Sequence, residues 1–362
     1  MKAIPVSAEP TGTAPDVKLS CRNLWKVFGS DPEQFFRGGV DAGMATADRI
    51  AHIRAERHVP AVSDVSFDVR TGEIFVLMGL SGSGKSTVLR SLSSLVAPTH
   101  GEIIFEGRDL AHMSQADLID LRRHKMGMVF QAFGLLPHLS VLENVAFPLK
   151  IQGVGQAERL RCAAEYLELV GLGGKEHAMP NQLSGGQQQR VGIARSLAVG
   201  PDLWFLDEPF SALDPLIRRQ MQDEFVGLQS RLNKTIIFVT HDFLEALKIA
   251  DRIAIMKDGR IVQIGTPTEL VLNPADDYVA EFTADVPVSR VLSAGQIMEQ
   301  GAAENAPSIA AGTSLEDVLA RHDFSRGPLN VSAADGRPLG QITARGVVAA
   351  LHRGRQSHAV GA

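Results

Sequence analysis

Gly79-Leu80-Ser81-Gly82-Ser83-Gly84-Lys85-Ser86-Thr87 fits the pattern G-x-x-x-x-G-K-[ST]. The run before it, Ile74-Phe75-Val76-Leu77-Met78, is apolar throughout, as in a parallel strand covered on both faces. Residues 85–95 then read as a helix, stopped near Pro98. The residue types follow from the chemistry of an anion. Glycines let the backbone curl until successive N–H groups face one phosphate with no Cβ in the way. A helix starting at Lys85 adds the positive end of its dipole. Lys85 has the reach for β- and γ-phosphates, and the Ser86 hydroxyl suits Mg²⁺. Alone, this cradle specifies a P-loop nucleotide hydrolase and no particular class.

Outward from the cradle, residues 18–28 begin with alternation and read as a first strand. Asp31-Pro32, Gly38-Gly39 and a helix over 45–57 break that pattern, so about 30–58 reads as an insertion. Residues 61–69 alternate again, as a half-buried antiparallel strand does. Further short apolar runs lie at 126–130, 203–206, 235–240 and 252–256, with helical periodicity over 214–232 and 243–250. Alternating strands and helices predict an α/β fold with a largely parallel sheet. Residues 137–197 are mostly helical in pattern, giving a helical subdomain at about 125–200. After Asp285 the composition shifts to Ala, Gly and Ser, marking a linker and a smaller unit; no internal repeat is visible.

Bulk properties narrow the role. The net charge of -5 lacks the basic excess of a nucleic-acid binder. No run approaches the ~18–20 apolar residues that span a bilayer. Residues 1–16 lack the apolar centre of a signal peptide and read as a flexible tail. Cys21 and Cys162 lie far apart without CxxC spacing, which argues against a disulfide framework or zinc site. The chain reads as cytoplasmic, with any membrane role supplied by partners.

Two further stretches add chemistry. Leu203-Trp204-Phe205-Leu206 ends in Asp207 and Glu208. An acid at the end of a strand beside a P-loop holds Mg²⁺, which fits Asp207; Glu208 is placed to polarise an attacking water. Leu183-Ser184-Gly185-Gly186-Gln187 opens an amphipathic helix, a second site with exposed N–H groups and a hydroxyl.

With these residues in view, the chain resembles the ABC ATPases. Leu183 to Gln187 is identical to their signature sequence. The resemblance covers about residues 18–285 and implies an ABC ATPase fold: a P-loop core with an antiparallel β subdomain and a helical subdomain. It implies that Gln131 is the Q-loop glutamine contacting Mg²⁺ and water. Ser211-Ala212-Leu213-Asp214 matches the D-loop, and His241, in Val239-Thr240-His241-Asp242, matches the switch histidine at the γ-phosphate. Phe28 falls where the family stacks an aromatic ring on adenine, with Trp25 as the nearby alternative. The resemblance further implies a homodimer, in which Ser184, Gly185, Gly186, Gln187 and Asp214 of one subunit complete the ATP site of the other. ATP and Mg²⁺ are the implied cofactors.

A chain without membrane spans implies separate permease subunits. Residues 133–149 follow the Q-loop, where the family receives a coupling helix from the permease; their apolar side chains equally suit a core. The insertion, residues 73–83, Phe210-Ser211-Ala212-Leu213-Asp214-Pro215-Leu216-Ile217-Arg218, and residues 265–279 resemble the glycine betaine/proline betaine importer ATPases. That implies uptake of a quaternary amine (glycine betaine, proline betaine or choline), an indirect partnership with a substrate-binding protein, and a peripheral place on the cytoplasmic face of the cell membrane. Residues 286–362 resemble one small α+β module of the cystathionine-β-synthase type, with helices at 314–322 and 344–352 and strands at 328–332 and 340–343. Arg345, Arg353 and Arg355 suit an anionic membrane surface. Other readings are an importer ATPase for another solute such as an amino acid, an exporter subunit, an ABC ATPase outside transport, and a nucleotide sensor without turnover.

Overall fold

Strand Val17–Phe28 runs through the middle of a four-stranded antiparallel sheet in a computed structural model that describes residues 16–37 and 43–359. Most of the expected N-terminal tail and the Gly38-Gly39 pair lie outside the described residues, as do the side chains of Arg353 and Arg355. On one side Val17–Phe28 pairs with Val59–Arg70, from Val17↔Arg70 to Phe28↔Val59. On the other it pairs with His100–Phe105, followed by Arg108–Asp109. Its alternation fails where the register shifts between Cys21 and Leu24, around the left-handed Asn23. Burial pushes the Cys21 thiol up to about 12, so it carries no thiolate chemistry near neutral pH.

The excursion between Phe28 and Val59 holds a 3₁₀ turn at Pro32–Phe36 and a helix at Thr46–Ala55. Phe35 and Ile53 anchor it by burial against Trp25 and Val27. The described residues fall into two compact units. The first takes the described parts of Met1–Ile74, Ser86–Val239 and Asp258–Arg260. Besides the antiparallel sheet, it carries strands Met126–Val129, Leu203–Asp207 and Thr235–Thr240, paired in parallel in that order. Trp204, Phe205 and Phe238 are fully buried, as the apolar runs predicted. The first of these strands stops one residue short of Phe130, which is exposed. Helices Val141–Ile151, Gln156–Leu169 and Gly185–Ala198 pack around Val145, Leu149, Leu167 and Val191.

The helix after the cradle is shorter than 85–95. It spans Lys85–Leu92, because Ser94 turns left-handed and the amides of Leu95 and Val96 both return to the Arg90 carbonyl.

The second unit takes Phe75–Lys85, Thr240–Lys257 and the described part of Ile261–Ala362. In it, Ile74–Met78 runs parallel to Arg252–Lys257, with Phe75↔Arg252 and Met78↔Ile255 as partners. Near the C-terminus, Leu329–Ser332 lies between Ser308–Ala310, parallel to it, and Pro338–Ile342, antiparallel to it. Helices Leu315–Arg321 and Ala344–Ala359 accompany this sheet. Leu315, Val318, Leu329, Val331, Ile342 and Val347 form its core, against which Leu272 and Val288 also pack. Ser308–Ala310 carries no visible period: it has three residues, two of them exposed, so pairing rather than pattern makes it a strand.

Candidate nucleotide site

The P-loop glycines meet the demand that the motif made of them. Gly79 sits at φ +151, and a Cβ there would lie 2.3 Å from the Met256 carbonyl oxygen and 2.7 Å from Ser83 Oγ. A side chain is therefore excluded both by conformation and by space. Gly82 and Gly84 also adopt positive φ, at 79° and 97°. Lys85 is 5% exposed, and its Nζ donates to the carbonyls of Gly79 (2.9 Å) and Leu80 (3.0 Å). The ammonium thus lies folded over the loop whose amides it would share with a phosphate. Ser81 and Gly82 are placed at the loop's tip, where Ser81 is exposed; Ser83 is buried, and Thr87 follows Ser86 in the first helical turn.

Within the first unit, Ser86 Oγ donates to Asp207 Oδ1 at 2.8 Å. Asp207 is 4% exposed, and the exposed Arg90 guanidinium stands 3.7 Å from its other oxygen. Glu208 takes a left-handed backbone at φ +46, costly for a residue with a Cβ. Three hydrogen bonds hold it there. Its amide donates to the Val239 carbonyl (3.0 Å), and its carbonyl accepts from the Ser211 amide (3.2 Å) and Ser211 Oγ (2.9 Å). The side chain accepts from Gln131 Nε2 at 3.4 Å. Ser86, Asp207, Gln131 and Glu208 are therefore brought together in one unit. Gly79 to Lys85 and His241 belong to the other, with His241 exposed just beyond strand Thr235–Thr240.

Ser184 caps helix Gly185–Ala198 in a reciprocal pair: its Oγ accepts from the Gln187 amide, and Gln187 Oε1 accepts from its amide. Gln187 thus has a structural task of its own. Asp214 caps Pro215–Leu232, its Oδ1 accepting from the amides of Leu216 (3.1 Å) and Ile217 (3.0 Å). Of the two rings considered for adenine, Trp25 is 3% exposed and Phe28 is 46% exposed. A buried indole offers no face to a base, so of the pair Phe28 alone has a ring open to stacking.

The sequence profile of the ABC transporter family matches residues 62–211. The trimethylamine N-oxide transport system ATP-binding protein TmoW of Ruegeria pomeroyi is 54% identical over 300 residues, covering 83% of this chain and 87% of that protein. The chain belongs to the ABC transporter ATPase family. The glycine betaine/proline betaine transport ATP-binding protein ProV of Escherichia coli is 47% identical to this ABC ATPase over 281 residues, 78% of this chain and 69% of that one. A dimeric ATP-binding cassette solved in a post-hydrolysis state with ADP and Pi has the same fold, at TM-score 0.57 and 32% identity. The match covers 69% of the ABC ATPase and 98% of the solved chain.

Two residues that sequence reasoning missed shape the loops of this ABC ATPase. Arg195, from helix Gly185–Ala198, donates to the carbonyls of Gly134 (2.8 Å) and Phe133 (3.1 Å), just after Gln131. Arg218 does the same for Phe210, Ser211 and Leu213, the loop between Glu208 and Asp214. Both act on backbone oxygens, which every residue has, so no partner residue type in the sequence announces them.

The oxygen set around Asp207 fits Mg²⁺. Ser86 Oγ and a carboxylate already lie at hydrogen-bond distance, hard donors of the kind that ion prefers. Among the described residues no group of three or more His, Cys, Asp or Glu could hold a metal. A sparse set suits an ion that keeps waters and phosphate oxygens as its other ligands.

Proposed function

We propose that this ABC ATPase is the ATP-hydrolysing subunit of an importer for solutes with a methylated ammonium-type nitrogen, such as glycine betaine, proline betaine, choline or trimethylamine N-oxide. The observation that carries the hydrolytic part is the pairing of a buried Asp207 on Ser86 with Glu208 held on strained backbone beside Gln131. The solute class rests on the relatives' transport systems. Among the described residues no helix is long and apolar enough to cross a membrane, so membrane permease subunits would carry the solute and this subunit would sit against their cytoplasmic face. The dimeric solved cassette supports a homodimer.

In this reading the amides of Gly79 to Thr87 and the Lys85 ammonium bind the phosphates, while Phe28 stacks on adenine. Ser86, Asp207 and Gln131 would hold Mg²⁺, which neutralises phosphate charge. Glu208 orients the attacking water and draws its proton, and His241 contacts the γ-phosphate. Ser184 to Gln187 and Asp214 of one subunit close over the partner's ATP. Ser184 Oγ already accepts from Gln187, and its own O–H remains to donate. Closing that dry interface strengthens every charge contact to the γ-phosphate.

Two measurements test the proposal. Cells lacking this chain should lose uptake of labelled glycine betaine, choline or trimethylamine N-oxide and regain it with the wild-type gene; unaffected uptake of all three would sink the solute class. In the assembled complex, Glu208→Gln should lower kcat about 10²–10⁴-fold while ATP-bound dimers accumulate. Full turnover by that variant would remove Glu208 as the base.

A further inference from the structure

The insertion leaves and re-enters the antiparallel sheet at the register pair Phe28↔Val59. The next residues outward are Gly29 and His58, and the imidazole lies directly on the glycine. A Cβ at Gly29 would stand 2.0 Å from a ring carbon, and Gly29 itself is at φ +150. His58 Nε2 is 2.7 Å from the Ser30 carbonyl oxygen, and Nδ1 is 2.7 Å from the Glu56 carbonyl oxygen. Carbonyl oxygens only accept, so each contact requires an N–H on the ring. A neutral imidazole has one and the imidazolium has two. The two carbonyls precede Asp31 and Arg57, which adopt left-handed backbone at φ +47 and +58. Two strained turns therefore converge on one ring.

The surroundings favour the charged form. Hydrogen bonds to the carbonyls of Ser30 and then Glu56 hold the His58 pKa above its ordinary value against the opposing effect of desolvation, and the carboxylates of Glu56 and Asp31 add smaller contributions in the same direction. Phe35 stands edge-on at 4.9 Å and 80°. His52 touches that same Phe35, Arg37 pairs with Asp31 and Glu33, and Lys26 lies over Phe28. Arg57 follows Glu56 in the chain, next to His58.

We propose that His58 is a positioning residue for the adenine end of the ATP site: as the imidazolium it ties the two ends of the insertion together and fixes the Phe28 ring, so ATP binds more weakly once the proton is lost. This rests on the reading that Phe28 stacks on adenine. The direction follows from the raised pKa: the clamp is complete at low pH and loses one of its two hydrogen bonds as pH rises through the folded-state value.

The test is titration of the full-length chain with ATP and with inorganic tripolyphosphate between pH 6 and 9, for wild type, His58→Gln and Phe28→Ala. Tripolyphosphate reaches the cradle without an adenine; because it has two terminal phosphates to titrate and ATP has one, the wild-type ratio is read against that of His58→Gln at the same pH. For wild type, ATP affinity relative to tripolyphosphate, divided by the same ratio for His58→Gln, should fall about threefold to tenfold across that range, as for loss of one hydrogen bond. His58→Gln keeps one donor group and does not titrate; its ratio should match that of wild type at high pH and be weaker at low pH, with KM for ATP raised and kcat unchanged in the assembled complex. A His58→Gln ratio that follows the wild-type profile would overturn the positioning role. If Phe28→Ala leaves the ratio unchanged, the stacking assignment fails, and the proposal with it. Lower thermal stability of His58→Gln with a wild-type ratio would assign His58 to folding alone, against the proposal.

Discussion

Gly185 and Gly186 are adjacent, yet an added side chain would meet different surroundings at each. At Gly186, which is buried, a Cβ would stand 2.7 Å from Ile217 Cγ2, so this glycine lets two helices approach. At exposed Gly185 the nearest atoms, from Leu213 and Phe133, lie at ordinary contact distances of 3.6 and 3.8 Å. Packing thus explains one glycine and leaves the other to function. Gly185→Ala should leave the fold intact or stabilise the helix by up to about 1 kcal/mol, as alanine does for glycine in a helix. It should nevertheless lower ATPase activity of the assembled complex at least tenfold. Unchanged activity would mean that Gly185 faces neither nucleotide nor partner. The phosphate cradle was legible in the sequence because its residue types are the chemistry. Glu208's strained backbone was not, since it comes from bonds to Val239 and Ser211 that the fold supplies.

At the scale of elements, the loop between Gln131 and helix Val141–Ile151 depends on one amide. Asn144 is fully buried; its Oδ1 accepts from the Leu136 amide (2.8 Å), and its Nδ2 faces the carbonyls of Leu136, Leu139 and Ser140 at 3.0 Å each. Two hydrogens serve three acceptors, so one bond is shared. Asn144→Ala would strand several backbone groups, and the expected loss is about 2–4 kcal/mol in urea unfolding. A loss under about 1 kcal/mol would mean that water replaces the amide. Strands buried along their whole length, such as Leu203–Asp207 and Thr235–Thr240, were readable from composition. His100–Phe105 and Arg260–Gly265 were not: each has six residues, but only Ile103 and Phe105 of the first and Gly265 of the second are buried, too few for an apolar run.

For the whole molecule, the C-terminal sheet, its two helices and the buried Leu292, Ala294 and Ile297 share one core, with Leu272 and Val288 packed against it. We propose that this segment, residues 286–362, is a regulatory module resembling the cystathionine-β-synthase type. Deleting residues 290–362 should leave ATP hydrolysis in place and change how uptake responds to ionic strength, since contact of Arg345 with an anionic surface is screened by salt. An unchanged response would remove the regulatory reading. The helices expected at 314–322 and 344–352 are Leu315–Arg321 and Ala344–Ala359, the second running past its expected end, whereas Ser308–Ala310 exists only through its pairing with Leu329–Ser332.

The placement of the two tryptophans has a spectroscopic consequence. The chain has two tryptophans, and both rings are buried. Trp204 lies in the strand that ends in Asp207, its indole N–H donating to Ser196 Oγ at 2.9 Å. Trp25 lies under the insertion, three residues before Phe28, with the Arg49 guanidinium 5.7 Å over its ring. Tryptophan emission therefore comes from two chromophores, one reporting the strand that ends in Asp207 and one the insertion. Replacing either by phenylalanine would isolate the other, giving this subunit an intrinsic optical readout of each region without any attached dye.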